Sequence, residues 1–366
     1  MYGQQYSSDV ARRMMYGSRK TLELIDSENI RNVSGSGVLQ DIDAQIIELR
    51  KERQKLFDQR SAFSKLIRDR SRQEELNEII TEAVCGGSLP SLGFAASADN
   101  AATECGDNDL LVSLNDIHYG ACIDNKWNTY DSDICVQMMR TYLDRIIDIG
   151  KRHRSENCIC WMNGDAISGN IHYSIAVTNK ENVIQQVTGV AELLSEFVAA
   201  LSSHFKTVRF VSVSGNHSRI NPNKDKALSS ERLDDLIEWY MKARLQSFEN
   251  VLFDYDKVDD TIYTIDIRGK TYCGVHGDYD LGDQKVQALQ TMVGRPIYAV
   301  LSGHLHHNKV DSVQGIKTVM AGSFMGMDDY CIQKRIYGKA EQMVCVCDDT
   351  GIASYYDIDL SNINSV

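Results

Sequence analysis

The sequence Ile-Tyr-Ala-Val-Leu-Ser-Gly-His-Leu-His at residues 297–306 is the stretch that decides the fold. Its first five residues are apolar and are followed by Ser302 and Gly303, a pattern that predicts a buried strand ending in a tight turn. His304 and His306 would then lie at the carboxyl end of that strand, where open α/β sheets bind their ligands. Two imidazoles so spaced can bind one divalent metal ion or one each of two, although an isolated His-x-His is more often a pair of core or surface residues.

Four similar boundaries occur earlier in the chain, each with a short apolar run that ends in a polar cluster. The runs are Leu110–Leu114, Cys158–Met162, Val208–Val213 and Thr271–Val275. The clusters that follow them are Asn115-Asp116-Ile117-His118, Asn163-Gly164-Asp165, Ser214-Gly215-Asn216-His217 and His276-Gly277-Asp278. Helical patterns separate the runs, near Asp133–His153, Val183–His204, Ser230–Phe248 and Asp283–Val293. Strands that alternate with helices predict an α/β layered core, and the recurrence of Asp, Asn and His at five strand ends predicts a shared site.

The first 84 residues have a different pattern. Residues 8–30 and 38–84 predict helices, and the second would be about 70 Å long because it contains neither Gly nor Pro. Ile42, Leu49, Leu56 and Phe63 recur every seven residues and predict an imperfect coiled coil. Residues 85–106 are rich in Gly, Ala and Ser and predict a linker. The expected organisation is therefore a helical arm at 1–84, a linker at 85–106 and a main domain at 107–366.

Such an arm is expected to pack on its own domain or on a second copy of the chain, which would make the protein a homo-oligomer. An alternative is contact with a phosphate backbone or another partner, because residues 48–72 carry nine Lys or Arg against four Asp or Glu.

Charge and composition exclude several classes of protein. The net charge of -12 comes from the chain beyond residue 82, and an acidic protein is a poor nonspecific binder of nucleic acid. No apolar stretch approaches the roughly 20 residues that span a bilayer. The polar amino terminus lacks the apolar region of a signal peptide, so a cytoplasmic location and no membrane partner are expected. The ten cysteines are therefore expected to be reduced thiols, with the pairs Cys158/Cys160 and Cys345/Cys347 in the core.

The five polar clusters resemble the blocks of the calcineurin-like metallophosphoesterase superfamily, which are Asp-x-His, Gly-Asp, Gly-Asn-His, a single His and Gly-His-x-His in that order. The resemblance covers residues 109–358. It implies an α/β fold of four layers, in which a two-layered β-sandwich is flanked by helices. It also implies two divalent metal ions as cofactors, with Mn as the first choice and Fe, Zn or Ni as alternatives.

Carried over by position, the resemblance implies a set of metal ligands and one catalytic histidine. The first metal would be bound by Asp116, His118 and His306, the second by Asn216, His276 and His304, and both by a bridging Asp165. His217 would contact the scissile phosphate or protonate the leaving oxygen, a role that suits an imidazole with a pKa near neutrality.

Departures from the superfamily's pattern narrow the substrate class. Protein Ser/Thr phosphatases carry an acidic-Arg-Gly run after Gly-Asp and Glu after Gly-Asn-His, whereas this chain has residues 166–169, Ala-Ile-Ser-Gly, and Ser218. A protein phosphatase is therefore not expected. SbcD-type repair nucleases are more distantly similar, since Ser168 and Ser218 replace a His and an acidic residue that they often carry. The layout of arm, linker and core is also similar to metallophosphoesterases of tailed phages and prophages of Gram-positive bacteria, which would place the protein in a host cytoplasm.

Five further residues are candidates for contact with the substrate. Arg219 follows His217 by two residues and could bind a phosphate bidentately as a catalytic residue. Trp127 and Tyr130 lie in the insert after the first metal block, where aromatic rings stack on nucleobases or simply anchor a loop. His307 and Tyr330 follow the last ligands and could line the same cleft.

The sequence favours a metal-dependent phosphodiesterase that acts as a nuclease on DNA, with a nucleic acid or nucleotide as its substrate. Two alternatives stay open. One is a phosphodiesterase of a nucleotide second messenger or another small phosphoester, which would tolerate an acidic surface. The other is a scaffold that oligomerises through the arm and has a silent core.

Overall fold

A computed structural model describes residues 106–171, 173–280 and 282–361, together with short pieces at 16–17, 19–20, 45, 47–56 and 58–60. The chain divides into two units, Met1–Glu75 and Leu76–Val366. The described pieces of the first unit are helical, and Leu49 and Leu56 are exposed there. The remainder of the predicted arm, and the predicted linker at 85–105, lie outside the described residues.

The described part of the second unit contains fourteen strands and six α-helices. The strands are β1 (Asp109–Ser113), β2 (Ile123–Asp124), β3 (Thr129–Tyr130), β4 (Asn157–Asn163), β5 (Thr207–Val213), β6 (Val251–Leu252), β7 (Asp256–Asp259), β8 (Ile262–Ile267), β9 (Lys270–Val275), β10 (Ala299–Ser302), β11 (Lys309–Val313), β12 (Ile316–Met320), β13 (Glu341–Asp348) and β14 (Gly351–Asp359). The helices are α1 (Ser132–His153), α2 (Tyr173–Thr178), α3 (Val183–Ser202), α4 (Asp234–Arg244), α5 (Asp283–Val293) and α6 (Asp329–Lys334).

Two six-stranded sheets form the centre of this unit. The first sheet has the order β14-β13-β1-β4-β5-β6, and the second has the order β11-β12-β10-β9-β8-β7. In the first sheet β1, β4, β5 and β6 are parallel, and in the second β9, β10 and β12 are parallel. The register places Ser113 opposite Trp161 and Asn163 opposite Val213, so the carboxyl ends of β1, β4 and β5 lie at one edge.

Alternation along the strands produces three apolar layers. Leu110 and Val112 pack with residues of α1 and α3 on one face of the first sheet, whereas Leu111 between them packs with the second sheet. Successive side chains of a strand point to opposite faces, which is why one run serves two layers. A third cluster joins the far face of the second sheet to Val286 and Leu289 of α5. The architecture is therefore helix, sheet, sheet and helix, a mixed α/β fold of four layers.

The same alternation accounts for the cysteine pairs. Cys158 and Cys160 lie in the layer between the first sheet and its helices, and Cys345 and Cys347 lie in the layer between the two sheets. All four are buried and free. They are core thiols, as the sequence predicts.

All five strands and four helices that the sequence predicts in residues 107–366 are present within a few residues of their expected bounds. The sequence did not predict the antiparallel strands, among them β11 and β14, whose residues are mostly exposed or half-buried and contain no continuous apolar run. No helix among the described residues is long and apolar enough to cross a bilayer.

Candidate metal centre

Five polar clusters follow the carboxyl ends of β1, β4, β5, β9 and β10, so both sheets contribute to one site. Hydrogen bonds from backbone amides join these strand ends. The amide of His118 donates to the carbonyl of Asp165, at 3.0 Å, and the amide of Gly303 donates to the carbonyl of His276, at 2.9 Å. The amide of His304 donates to Oδ2 of Asp116, at 2.8 Å. These bonds fix the loops that carry the candidate ligands.

Six of the seven residues predicted as metal ligands form two groups. The first ligand group is Asp116, His118 and His306, and the second ligand group is Asp165, His276 and His304. In each group the ligand atoms lie within 4.8 Å of one another. The seventh residue, Asn216, joins the second ligand group, because its Oδ1 lies 2.9 Å from Nε2 of His276.

Asp165 lies between the two ligand groups. Its Oδ2 is 3.3 Å from Nε2 of His276 and 4.0 Å from Nε2 of His118. The side chain is 1 % exposed, so this carboxylate is withdrawn from solvent and surrounded by imidazoles. A carboxylate in that position can be shared by two cations.

The donor set fits divalent metal ions. Oδ1 of Asp116 is buried and has no hydrogen-bond partner among the described residues, which is costly unless a cation or water lies there. Nε2 of His118 lies 3.2 Å from Nε2 of His306, so two ring nitrogens converge on the same small space. Imidazole and carboxylate are ligands of Mn, Fe, Zn and Ni alike, so the set does not select one metal.

The backbone at this site adopts an uncommon conformation. Among the described residues nine non-glycine residues have a positive φ, and five of these are candidate ligands: Asp116, His118, Asp165, His304 and His306, with φ between 49° and 70°. Each such residue costs on the order of 1–3 kcal/mol, and such strain concentrates at functional sites.

Two glycines permit the close approach of the loops. A Cβ at Gly215 would lie 2.1 Å from Oδ1 of Asp165, and a Cβ at Gly303 would lie 2.4 Å from Oδ2 of Asp116. Neither position can accept a side chain unless a candidate ligand moves.

Of the four histidines in the two ligand groups, two have a raised pKa and two have a lowered pKa. Burial lowers the pKa of His276, but the charge and hydrogen bond of Asp165 outweigh it and raise the pKa to about 10. Burial lowers the pKa of His306 as well, but the hydrogen bond and charge of Asp116 outweigh it, so the pKa is raised. By contrast, burial lowers the pKa of His118 and His304, and neighbouring imidazoles add to the effect.

The carboxylate of Asp165 forms an ion pair with the protonated His276. Burial raises its pKa, but His276 and His217 lower it, and the pKa falls well below its usual range. Without a metal the second ligand group therefore holds an ion pair, and His118 and His304 are neutral and able to coordinate.

His217 forms a third group of potential metal ligands with His118 and Asp165, and two hydrogen bonds orient it. Its amide donates to Oδ1 of Asp165, at 2.7 Å, and its Nδ1 donates to the carbonyl oxygen of Ser168, at 2.8 Å. Because a carbonyl can only accept, the proton must be on Nδ1, and Nε2 is left for the reaction. The ring packs edge to face on His118 with 4.5 Å between centroids.

The sequence analysis did not assign a role to several residues that orient the site. The carbonyl of Asn163 accepts from Nδ1 of His276, at 2.6 Å, and Oδ2 of Asp234 accepts from the amide of Gly215, at 2.9 Å. Gln342 lies behind the Asp116 loop, where its Nε2 donates to the carbonyl of Asn115, at 3.0 Å. The sequence analysis placed Asn163 in the polar cluster after β4 without giving it a role, whereas Asp234 and Gln342 lie outside all five clusters.

The structure does not support Tyr130 as a substrate contact. The side chain is fully buried, and its hydroxyl donates to the carbonyl of Ile117, at 2.5 Å. It anchors the loop that carries Asp116 and His118. The sequence left open whether Tyr130 stacks on a nucleobase or anchors a loop, and the structure shows the anchor.

The other candidate substrate residues lie outside the ligand groups. Trp127 is 56 % exposed and lines a groove of about 270 Å³ at the β2–β3 hairpin. His307 directs Nδ1 to the carbonyl of Leu305, at 2.9 Å, and Tyr330 is 60 % exposed on α6, with the ammonium of Lys334 5.8 Å from its ring centre. Arg219 is 6 % exposed, and its Nε has no hydrogen-bond partner among the described residues.

No family model matches the chain. The chain is similar to the SPbeta prophage-derived uncharacterized protein YonJ of Bacillus subtilis (strain 168), with 22 % identity over 324 residues, which cover 84 % of this chain and 77 % of YonJ.

Solved structures with some similarity include a novel archaeal phosphodiesterase, with 12 % identity, a TM-score of 0.34 and coverage of 68 % of this chain and 99 % of that one. Vps29 of Entamoeba histolytica complexed with Zn²⁺ has 12 % identity, a TM-score of 0.32 and coverage of 69 % and 98 %. A hypothetical protein of Pyrococcus horikoshii OT3, PH1004, has 11 % identity, a TM-score of 0.36 and coverage of 69 % and 87 %. With TM-scores this low, the assignment of the site rests on its own geometry.

Proposed function

We propose that the chain is a metal-dependent phosphodiesterase of the calcineurin-like type that hydrolyses phosphodiester bonds in DNA. The observation that carries the proposal is the position of Asp165, whose one buried carboxylate oxygen faces His276 in one direction and His118 in the other. Two groups of imidazole and carboxylate ligands that share a carboxylate are the arrangement that a pair of divalent ions requires, at a separation of roughly 3.5–4 Å.

Two divalent ions bound there, with manganese as the first choice, would lower the pKa of a water molecule and neutralise charge on the phosphoryl oxygens. The first ion would be held by Asp116, His118 and His306, and the second by Asn216, His276 and His304, with Asp165 held in common.

His217, protonated on both ring nitrogens, would supply the proton on Nε2 to the leaving oxygen. The bond from its Nδ1 to Ser168 leaves Nε2 as the only ring atom that can exchange a proton with the substrate. Its contacts with Asp165 and His118 keep that atom beside both ligand groups. General acid catalysis from such a position contributes about 10²- to 10⁴-fold to the rate.

A polymeric substrate is supported by the groove at the β2–β3 hairpin. Trp127 presents an exposed ring there, and Nζ of Lys126 lies 5.7 Å from the ring centre. Asn128 of the same hairpin donates to the carbonyl of Met325, at 2.7 Å, and the nearby Ser323 hydroxyl donates to the carbonyl of Asp116, at 2.9 Å. The hairpin is thus joined through one loop to the first ligand group, and an exposed ring there favours stacking on a base of a polymeric substrate.

The test is hydrolysis by the full chain after removal of metals and addition of excess Mn²⁺. We expect cleavage of bis-p-nitrophenyl phosphate and of a panel of single-stranded and duplex DNA, and loss of both on chelation. Hydrolysis of the small diester without cleavage of any DNA would remove the nuclease proposal and leave the phosphodiesterase.

The second candidate is hydrolysis of a nucleotide second messenger or another small phosphoester, which the net charge of -12 favours. Binding of a polymer weakens steeply with salt because it releases counterions, whereas turnover of a small ligand does not. A KM for DNA that does not change between 50 and 200 mM salt would favour the small substrate. Absence of metal from the purified chain, with no effect of Mn²⁺, would favour a silent scaffold.

We also propose that the arm joins copies of the chain. Leu49 and Leu56 are seven residues apart on helical pieces and are 65 % and 56 % exposed, so a second helix could cover both. Replacement of both by Lys is expected to lower the molar mass measured by light scattering, with unchanged hydrolysis of bis-p-nitrophenyl phosphate.

A further inference from the structure

Arg232 is a buried cation without a partner beside the second ligand group. The residue is 8 % exposed, and its Nη1 is buried and makes no hydrogen bond with any described residue. It lines a small cleft together with the candidate ligands Asn216 and His276.

Arg219 strengthens the case for a missing anion. It pairs with Arg232 across an isolated antiparallel bridge, and residues paired in this way project to the same side. Arg219 is also more than nine-tenths buried, and its Nε is another orphaned donor. Two neighbouring guanidiniums with buried, unsatisfied donors are unfavourable unless an anion lies within reach.

The carboxylates nearby do not satisfy Arg232. Asp278 and Asp280 line the same cleft, but neither forms an ion pair with Arg232 within the described part of the chain. Asp278 instead has Nζ of Lys224 as its neighbour, at 4.0 Å. The same ammonium lies 4.7 Å from the ring centre of Tyr279, which is 48 % exposed at the mouth of the cleft.

We propose that Arg232 binds the substrate's phosphate group from the side of the second ligand group, with Arg219 behind it as a positioning residue. This inference rests on the proposed function and adds a residue that the sequence motifs do not contain. A guanidinium presents two parallel N–H donors that match two phosphate oxygens, and it keeps its charge at any pH in which the protein is folded. Asn216 and His276 on the wall of the cleft place that phosphate next to the candidate ligands. Arg232 would therefore act on substrate binding more than on the chemical step.

The experiment compares Arg232→Gln and Arg232→Lys with the unaltered full chain. Arg152→Gln is the matched control, because Arg152 is exposed, forms its ion pair with Asp148 four residues away on α1, and otherwise lies over the ring of Tyr356. Three quantities are measured for each protein: metal content, the Kd for inorganic phosphate by calorimetry with and without Mn²⁺, and KM and kcat for bis-p-nitrophenyl phosphate.

We expect Arg232→Gln to keep its metal content, to raise the Kd for phosphate and the KM at least tenfold, and to change kcat by less than threefold. Arg232→Lys is expected to recover part of the loss, and it also serves if the Gln variant does not fold. Arg152→Gln is expected to match the unaltered chain.

The measurement of phosphate binding distinguishes a failure of this inference from a failure of the proposed function. If the unaltered chain binds phosphate, Arg232→Gln does not, and no diester is hydrolysed, the phosphate site stands and the proposed activity is wrong. If Arg232→Gln keeps its metal and binds phosphate as the unaltered chain does, or if the unaltered chain binds no phosphate in either condition, the inference is overturned.

Discussion

Oδ2 of Asp165 lies 3.3 Å from Nε2 of His276, and both side chains are almost completely buried. His276 also faces the carbonyl of Asn163 through Nδ1 and Oδ1 of Asn216 through Nε2. These three polar partners of the ring are all acceptors, which is why the metal-free site stabilises the imidazolium. A metal ion must displace that proton, since only neutral imidazole is a ligand.

Metal binding is therefore expected to release protons and to strengthen as the pH rises. The pKa of His276 is raised to about 10, so its stabilising contribution to the metal-free chain is complete below the ordinary value of 6.5 and is lost as the pH rises through about 10. Between pH 7 and 9, the affinity for Mn²⁺ should increase about tenfold per pH unit for one released proton. Calorimetry in buffers with different heats of ionisation counts the protons.

The matched variant for this measurement is His276→Gln, which should release one proton fewer. Binding of Mn²⁺ to the unaltered chain without any release between pH 7 and 9 would contradict the prediction.

Asp165→Asn and His217→Ala should separate metal binding from turnover. The first removes the charge that both ligand groups share, so we expect less than one bound metal ion per chain and no hydrolysis. The second removes a residue that the proposal places outside the metal ligands, so we expect full metal content and a kcat lower by about 10²- to 10⁴-fold. Metal analysis and hydrolysis of bis-p-nitrophenyl phosphate measure the two effects.

Asp311→Asn is the control for these variants, because Asp311 is exposed on β11 and pairs only with Lys309. Equal loss of metal in Asp165→Asn and His217→Ala would show that His217 is a ligand and not a proton donor.

The strands that carry the site could be predicted because each is a short apolar run with an abrupt polar end. Buried parallel strands have both faces covered, so their sequences are apolar throughout and stand out from the chain. The change from the apolar run at 297–301 to Gly303 and His304 predicts such a strand end without reference to the rest of the chain. The antiparallel strands β11 and β14 face solvent on one side and contain no such run, so only the tertiary fold reveals them.

The residues that orient the site could not be predicted, because their roles depend on backbone groups and on distant parts of the chain. Ser168 acts through its carbonyl oxygen, which every residue has, and Arg232 is brought to the site by tertiary contacts such as its bridge to Arg219. Tyr130 shows the opposite case: an aromatic residue in a polar insert can be an exposed contact or an anchor, and only its burial distinguishes the two.

Gly215→Ala is expected to damage the site more than the fold. The added Cβ would lie 2.1 Å from Oδ1 and 2.3 Å from the amide nitrogen of Asp165, so the loop or the carboxylate must move. Such overpacking costs about 1–3 kcal/mol and should lower the melting temperature by several degrees. The affinity for Mn²⁺ should fall more than tenfold, because the displaced group is the shared ligand.

Gly17→Ala is a suitable comparison, since an added Cβ at Gly17 meets no atom of a described residue within 4 Å. If Gly215→Ala binds Mn²⁺ as tightly as this control, Asp165 is not fixed by the glycine loop.

Trp127→Ala should reduce the binding of single-stranded DNA without affecting the hydrolysis of a small diester. The exposed ring can stack on one base, which is worth about 1–3 kcal/mol, or roughly a 5- to 150-fold change in KM for DNA. Because Trp127 lies on the hairpin and not in either ligand group, kcat for bis-p-nitrophenyl phosphate should stay the same. Tyr355→Ala removes another exposed aromatic ring, 57 % accessible on β14, and is expected to leave both substrates unaffected. Equal KM values for DNA in Trp127→Ala and Tyr355→Ala would exclude the groove at the hairpin from substrate binding.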